Sequence, residues 1–188
     1  MIEKRKALLL GESSVGKTSL VQRFVLSTFN KNILSTAGLI VTKPKEPLHY
    51  EVPGKGPLDV ILTISDIQGN RVGKNPPPYD AYMRGADAIM AVFDVTRPET
   101  VEALAKYWVP KVRQVVTEKK VPVFYVGNKS DLKPGAYFGQ FLEIIFESLK
   151  DEKIEGIITS ALSGNGVEDA FRRVGRMALG EKYATMDS

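Results

Sequence analysis

The chain has 188 residues, 43% hydrophobic and 26% charged, with a net charge of +4 and no cysteine. That length suits one domain over 1–188, with 181–188 as a short tail, and the lack of cysteine excludes disulfides, cysteine-ligated zinc, thiol nucleophiles and prenyl or palmitoyl anchors. Ile2 stands where myristoylation needs glycine, no apolar run approaches ~20 residues, and the basic residues are scattered without interleaved aromatics, so the expectation is a cytoplasmic protein with no lipid anchor, at most peripheral membrane contact, and no nucleic-acid partner.

The apolar run 7–10 predicts a buried strand over residues 6–10. Gly11-Glu12-Ser13-Ser14-Val15-Gly16-Lys17-Thr18 comes next and spells G-x-x-x-x-G-K-T. In this pattern Gly11 permits a tight turn, and Gly16 lets backbone N–H groups approach an anion with no Cβ in the way. Those amides open a helix, where the macrodipole favours negative charge. Lys17 can reach terminal phosphates as a point charge, and the Thr18 hydroxyl can ligate Mg²⁺.

Residues 17–26 predict a helix with Leu20, Val21 and Phe24 on its inner face, and 27–37 a loop. Strand pieces are expected at 39–43 and 49–52, around a break at Pro44 and Pro47, and a further strand at 58–64 ending at Ser65-Asp66. Gly73 and Pro76-Pro77-Pro78 make 70–80 a surface loop. A near-continuous apolar run at 88–95 predicts a strand buried on both faces. Thr96-Arg97-Pro98-Glu99 has the form of a capping box and predicts a helix to about residue 117, kinked at Pro110. Tyr107 and Trp108 lie mid-helix and read as packing residues, and the single histidine, His49, as a strand residue remote from any site. Next come a strand at 121–126 ending at Gly127-Asn128, a helix at 138–149 and a short strand at 156–159. Val167, Ala170, Phe171, Val174, Met177 and Ala178 recur at helical spacing and predict a last amphipathic helix.

Such alternation predicts an α/β fold with a mostly parallel sheet and helices on both faces, binding its ligand beyond the carboxyl ends of the strands. Gly11, Asp66, Asn128 and Ser160 fall at four such ends. Asp66-Ile67-Gln68-Gly69 is D-x-x-G: a carboxylate for a Mg²⁺ shell, and a bare N–H for a terminal phosphate. Alone, it is equally a strand-end turn. Asn128-Lys129-Ser130-Asp131 is more specific. A carboxylate at Asp131 accepts both N–H groups of a guanine edge, and adenine would leave it unpaired. Asn128 can bond the base or tie neighbouring loops, and the stem of Lys129 can lie along the base plane.

With these motifs the chain resembles the Ras superfamily of small GTPases, and within it the Rab-like branch, over residues 6–179. Thr36 stands eighteen residues after Thr18, and Phe29 twelve after Lys17, as in the family. Leu34-Ser35-Thr36-Ala37-Gly38 is similar to a Rab switch I. Tyr82-Met83-Arg84-Gly85-Ala86-Asp87 and Phe93-Asp94-Val95-Thr96 resemble the Rab segments after switch II. Ser160-Ala161-Leu162 resembles the last guanine motif, with leucine where lysine is usual.

The resemblance implies a six-stranded P-loop NTPase fold and a GTP/GDP-binding switch that hydrolyses GTP with Mg²⁺. It implies that Ser13, Ser14, Val15, Gly16, Lys17, Thr18 and Ser19 cradle phosphates, that Thr18 and Thr36 ligate Mg²⁺, and that Asp66 holds it through the second shell. Gly69 would meet the γ-phosphate, and Phe29, Asn128, Lys129, Asp131, Ser160, Ala161 and Leu162 the guanine. Thr36 and Gly69 then lie on two loops that a γ-phosphate pins and its loss releases. Protein effectors, an exchange factor and a GTPase-activating protein are the implied partners.

Departures bear on catalysis. The family's catalytic glutamine is Asn70 here, switch II is two residues longer than in Ras and holds three prolines, and no arginine lies between Phe29 and Thr36. A GTP-binding scaffold with negligible hydrolysis is therefore the alternative. A P-loop kinase is disfavoured by Asn128-Lys129-Ser130-Asp131 and by the lack of an arginine-rich lid.

With Lys17, Thr36 and Gly69 completing the catalytic set, Asn70 decides the rate. Its amide is one methylene short of glutamine's, about 1.5 Å. A misplacement of about 1 Å costs on the order of 100-fold in positioning a water. Asn70→Gln is thus expected to raise the single-turnover rate of GTP hydrolysis. No change would assign the water to Arg71 or a partner's side chain, and a fall would make Asn70 the tuned residue of a differently shaped switch.

Overall fold

In the computed structural model the residues described are 1–26, 39–42, 44, 46–67, 79–148, 154–180 and 183. The run Ala7-Leu8-Leu9-Leu10 is fully buried because its strand, β1 (Ile2–Leu10), is central. It pairs in parallel with β4 (Gly56–Ile67) on one side and β5 (Ala88–Asp94) on the other. Beyond β5 lie β6 (Val123–Asn128) and β7 (Glu155–Ile158), both parallel. On the other edge β2 (Leu39–Thr42) and β3 (Leu48–Val52) both run antiparallel to β4.

Thr42 faces Ile64 and Leu48 faces Val60, so β2 and β3 lie end to end along one edge of β4. Seven strand segments thus fill six lanes, in the order β2/β3-β4-β1-β5-β6-β7. The mostly parallel six-lane sheet is the expected one. Pro44 and Pro47 stand between the two segments, where a proline cannot donate to a ladder.

Period-two alternation sorts β1 onto two cores. Ala7 and Leu9 face α1 (Lys17–Leu26) and α6 (Val167–Ala178). Leu8 and Leu10 face α2 (Tyr79–Met83), α3 (Glu99–Ala103), α4 (Val109–Val115) and α5 (Gly139–Ser148).

Two expectations need correction. β1 begins at Ile2, not residue 6, because its first half extends past the covered core and carries Glu3, Lys4 and Arg5 on a ladder that needs only backbone. The helix after β5 has no capping box: Thr96 Oγ1 turns back to donate to Asp94 Oδ1 at 2.6 Å, and α3 opens at Glu99 without a side-chain cap. Its expected kink at Pro110 takes the form of a π turn, Leu104–Trp108, between α3 and α4. Val109 N–H donates to Leu104 O, one residue further back than in an α-helix. Pro110 has no N–H and crowds the carbonyl four residues earlier, so the widened turn relieves the clash. The helical run ends at Val115.

Phe171 of α6 is fully buried and stacks on Phe24 of α1, centroids 4.2 Å apart and planes 8° off parallel. Phe171→Ala should cost about 3–5 kcal/mol. Thermal denaturation is expected to show Tm lowered by roughly 10 °C.

Candidate functional site

The rim at the carboxyl ends of the strands is built from main chain forced into unusual shapes. Ser14 has φ 62° in the loop between β1 and α1, a left-handed conformation that is costly outside glycine and typical of anion nests. Gly11 has φ 145°, and a Cβ there would lie 2.1 Å from Val92 O. Gly16 has φ 97°, and a Cβ there would lie 2.2 Å from Asn128 Nδ2. Glycine is therefore required at both positions by conformation and by space.

Lys17 is buried at the start of α1, and its Nζ donates to Gly11 O and Glu12 O, each at 2.9 Å. Burial lowers its pKa to about 8, against the opposing pull of Asp66 and Glu12. Asp66, near the end of β4, is also buried, and burial raises its pKa against the Thr18 hydrogen bond and Lys17. Thr18 Oγ1 donates to Asp66 Oδ2 at 2.5 Å. A hydroxyl and a carboxylate are hard oxygen donors, and Mg²⁺ takes one or two such groups plus phosphate oxygens. The donor set and the glycine-lined cradle fit a Mg²⁺-polyphosphate.

Asn128, the last residue of β6, ties two other loops to its own strand end. Its Nδ2 donates to Val15 O at 3.0 Å, and its Oδ1 accepts from Ala161 N at 3.0 Å. Lys129 has φ 69°, and this turn lets Ser130 N donate to Thr159 O at 3.1 Å. Ser160 Oγ donates to Asp131 Oδ1 at 2.5 Å, which orients an otherwise exposed carboxylate. Ser160 and Ala161 are buried and Leu162 exposed.

The structure thus brings together Ser13 to Ser19, Asp66, Asn128, Lys129, Asp131, Ser160, Ala161 and Leu162. Phe29, Thr36, Gly69 and Asn70 lie outside the described residues.

Sequence reasoning missed four residues here. Asp94, at the end of β5, is a fifth strand-end residue on the rim. Its Oδ2 meets Lys129 Nζ at 2.7 Å and accepts from Arg97 Nε at 3.1 Å. Burial pushes its pKa up, but the hydrogen bonds from Lys129 and Thr96 outweigh that and hold it low. Arg97 Nη2 donates to Ser13 O at 3.1 Å. Arg23 of α1 donates to Ala161 O at 2.9 Å and to Leu162 O, clamping the last rim loop. Trp108 does more than pack: its Nε1 donates to Glu12 Oε1 at 2.8 Å. Only Asp94 carried a signal, its place after an apolar strand.

Residues 6–179 match the model of the Ras family. The chain belongs to the Ras family of small GTPases. Among its relatives, GTP-binding protein YPT52 of Saccharomyces cerevisiae is 30% identical, over 90% of this chain and 80% of its own length. The Ras-related protein RABA1b of Arabidopsis thaliana is 34% identical, over 90% of this chain and 72% of its own. Ras-related protein Rab-34 of Homo sapiens is 30% identical over 93% of this chain, which spans only 63% of that relative. GTP-binding switching is the function common to the Ras family.

The Lys17 pKa has a consequence for stability. The folded value, about 8, lies below the ordinary lysine value of 10.5, so between the two the unfolded chain binds the extra proton. Stability of the nucleotide-free protein should therefore rise with pH from about 8 toward 10.5. Urea denaturation across that window is expected to show the rise in wild type and a shallower one in Lys17→Met.

Proposed function

We propose that this Ras-family protein is a Rab-like molecular switch that binds GTP and GDP with Mg²⁺ and hydrolyses GTP slowly, acting on protein effectors and regulators through its two switch segments. The observation that carries the reading is the Asn128 staple, whose amide ties the P-loop at Val15 to the loop at Ala161. It brings the loop read as the phosphate cradle and the loops read as the guanine-binding ones onto one rim, which supports this reading. The Rab-like relatives support the branch.

In this reading the amides from Ser13 to Ser19 and the Lys17 ammonium hold the phosphates, while Thr18, Thr36 and Asp66 hold Mg²⁺. A metal held by these residues would supply charge neutralisation on the phosphates. Asp131 reads the guanine edge, Ala161 offers its neighbouring backbone, and Phe29 and the stem of Lys129 flank the base. The Lys129 ammonium is anchored on Asp94, which leaves the aliphatic stem as the part free to lie along a ring. Gly69 and Asn70 attend the γ-phosphate and the attacking water. Hydrolysis needs only positioning and electrostatic stabilisation from such residues. The second reading is a GTP-holding scaffold, favoured by Asn70 in place of glutamine and by Pro76-Pro77-Pro78.

The test is base selectivity. Asp131→Asn replaces an acceptor by a donor at the guanine 2-amino group. Competition binding is expected to show GTP weakened by roughly 100-fold and xanthosine triphosphate improved. Wild-type protein that binds ATP as well as GTP would overturn the reading.

A further inference from the structure

A carboxylate whose charge reaches an anion-binding ammonium is an electrostatic liability. Glu12 is such a carboxylate: it is the second residue of the P-loop, and its charge acts on Lys17. Left to itself it would compete with an incoming anion for the ammonium. The structure gives it another partner. Trp108 Nε1 donates to Glu12 Oε1 at 2.8 Å, from a ring that is fully buried.

The placement of that ring is built in. Trp108 closes the π turn Leu104–Trp108, two residues before Pro110. One extra residue in a turn rotates the next stretch of helix by about 100° relative to an uninterrupted α-helix. The ring is braced edge-on by Tyr79, the first residue of α2, with centroids 5.5 Å apart and planes at 87°. Tyr107 packs against it on another side, centroids 5.1 Å apart. The indole N–H therefore has little freedom and aims at the P-loop.

We propose that Trp108 is a positioning residue that draws the Glu12 carboxylate away from the anion cradle and so slows nucleotide release. The proposal rests on nucleotide binding at the P-loop as argued above. Trp108 touches no nucleotide in this scheme. It acts through Glu12, and its removal matters only while Glu12 is charged.

That condition gives the experiment. The full chain is loaded with a fluorescent GDP analogue and chased with excess unlabelled GDP. Trp108→Phe keeps an aromatic ring but loses the N–H, and release should quicken by about tenfold, the weight of one hydrogen bond to a charged group. Glu12→Gln keeps an accepting oxygen without the charge, and its release rate is the baseline for the double variant. Trp108→Phe with Glu12→Gln should release within about twofold of Glu12→Gln, since the tryptophan acts only through the charge. A tryptophan needed only for packing would quicken release in that background as well. If Trp108→Phe melts below the assay temperature, Glu12→Asp replaces it: the charge remains, the shorter side chain loses its reach, and the same acceleration is expected. Unchanged release in Trp108→Phe or Glu12→Asp, or a double variant about tenfold faster than Glu12→Gln, would overturn the proposal. Wild-type protein that fails to retain the GDP analogue would instead bring down the functional reading on which it rests.

Discussion

The rim depends on one side-chain amide. Asn128 Nδ2 donates to Val15 O, and Asn128 Oδ1 accepts from Ala161 N, so a single buried residue satisfies main-chain groups on two separate loops. The two loops can come this close only because Gly16 has no Cβ, which would stand 2.2 Å from the amide nitrogen. Sequence positions 16, 128 and 161 are thus one constraint expressed three times. Both partners are buried main-chain groups, so the bonds are costly to leave unmade. The bonds are made within the chain itself, and preorganisation of this kind lowers the cost of binding.

Charges on the rim obey the same logic. Asp94 is 2% exposed, and it is tolerated because Lys129, Arg97 and Thr96 all point at it. Arg97 passes the connection on to Ser13 O. The segment after β5 therefore braces both the P-loop and the loop after β6. Arg23 does the equivalent from α1, on the carbonyls of Ala161 and Leu162. A lone buried carboxylate would shed its charge, whereas one held by several donors keeps it and keeps its partners in place.

Much of this was legible in the sequence, and the features that escaped share a cause. The central strands were legible because burial on both faces leaves an unbroken apolar run, as in residues 88–93 of β5. Lys17, Asp66, Asn128 and Asp131 were legible because their chemistry demands fixed local spacing. The first half of β1 was not, since its register with Asp59 to Thr63 is a backbone matter that Lys4 and Arg5 disguise. Thr96 looked like a helix cap, but Asp94, two residues away, offered its hydroxyl a better acceptor. Arg97, Arg23 and Trp108 act across 84, 138 and 96 residues respectively, and no local pattern encodes a partner at that distance. The π turn escaped for another reason: proline forbids a regular helix without saying which distortion replaces it.

The two ends of the rim are prepared in opposite ways. At the Asn128 end, donors and acceptors are already paired with one another, and Asp131 is held by Ser160 with its carboxylate still exposed. In the proposed function that end selects the base by shape and by the groups a wrong base would leave unpaired. At the Lys17 end an ammonium is buried on two main-chain carbonyls, with its pKa lowered to about 8. Carbonyl dipoles replace water only in part, so the ammonium is stabilised further by any anion brought into the nest. Asp66, buried with a raised pKa, is stabilised in turn by a cation. In the proposed function a polyphosphate carrying Mg²⁺ supplies both charges together. The buried ammonium and the buried carboxylate are then each met by the half of the ligand that complements it.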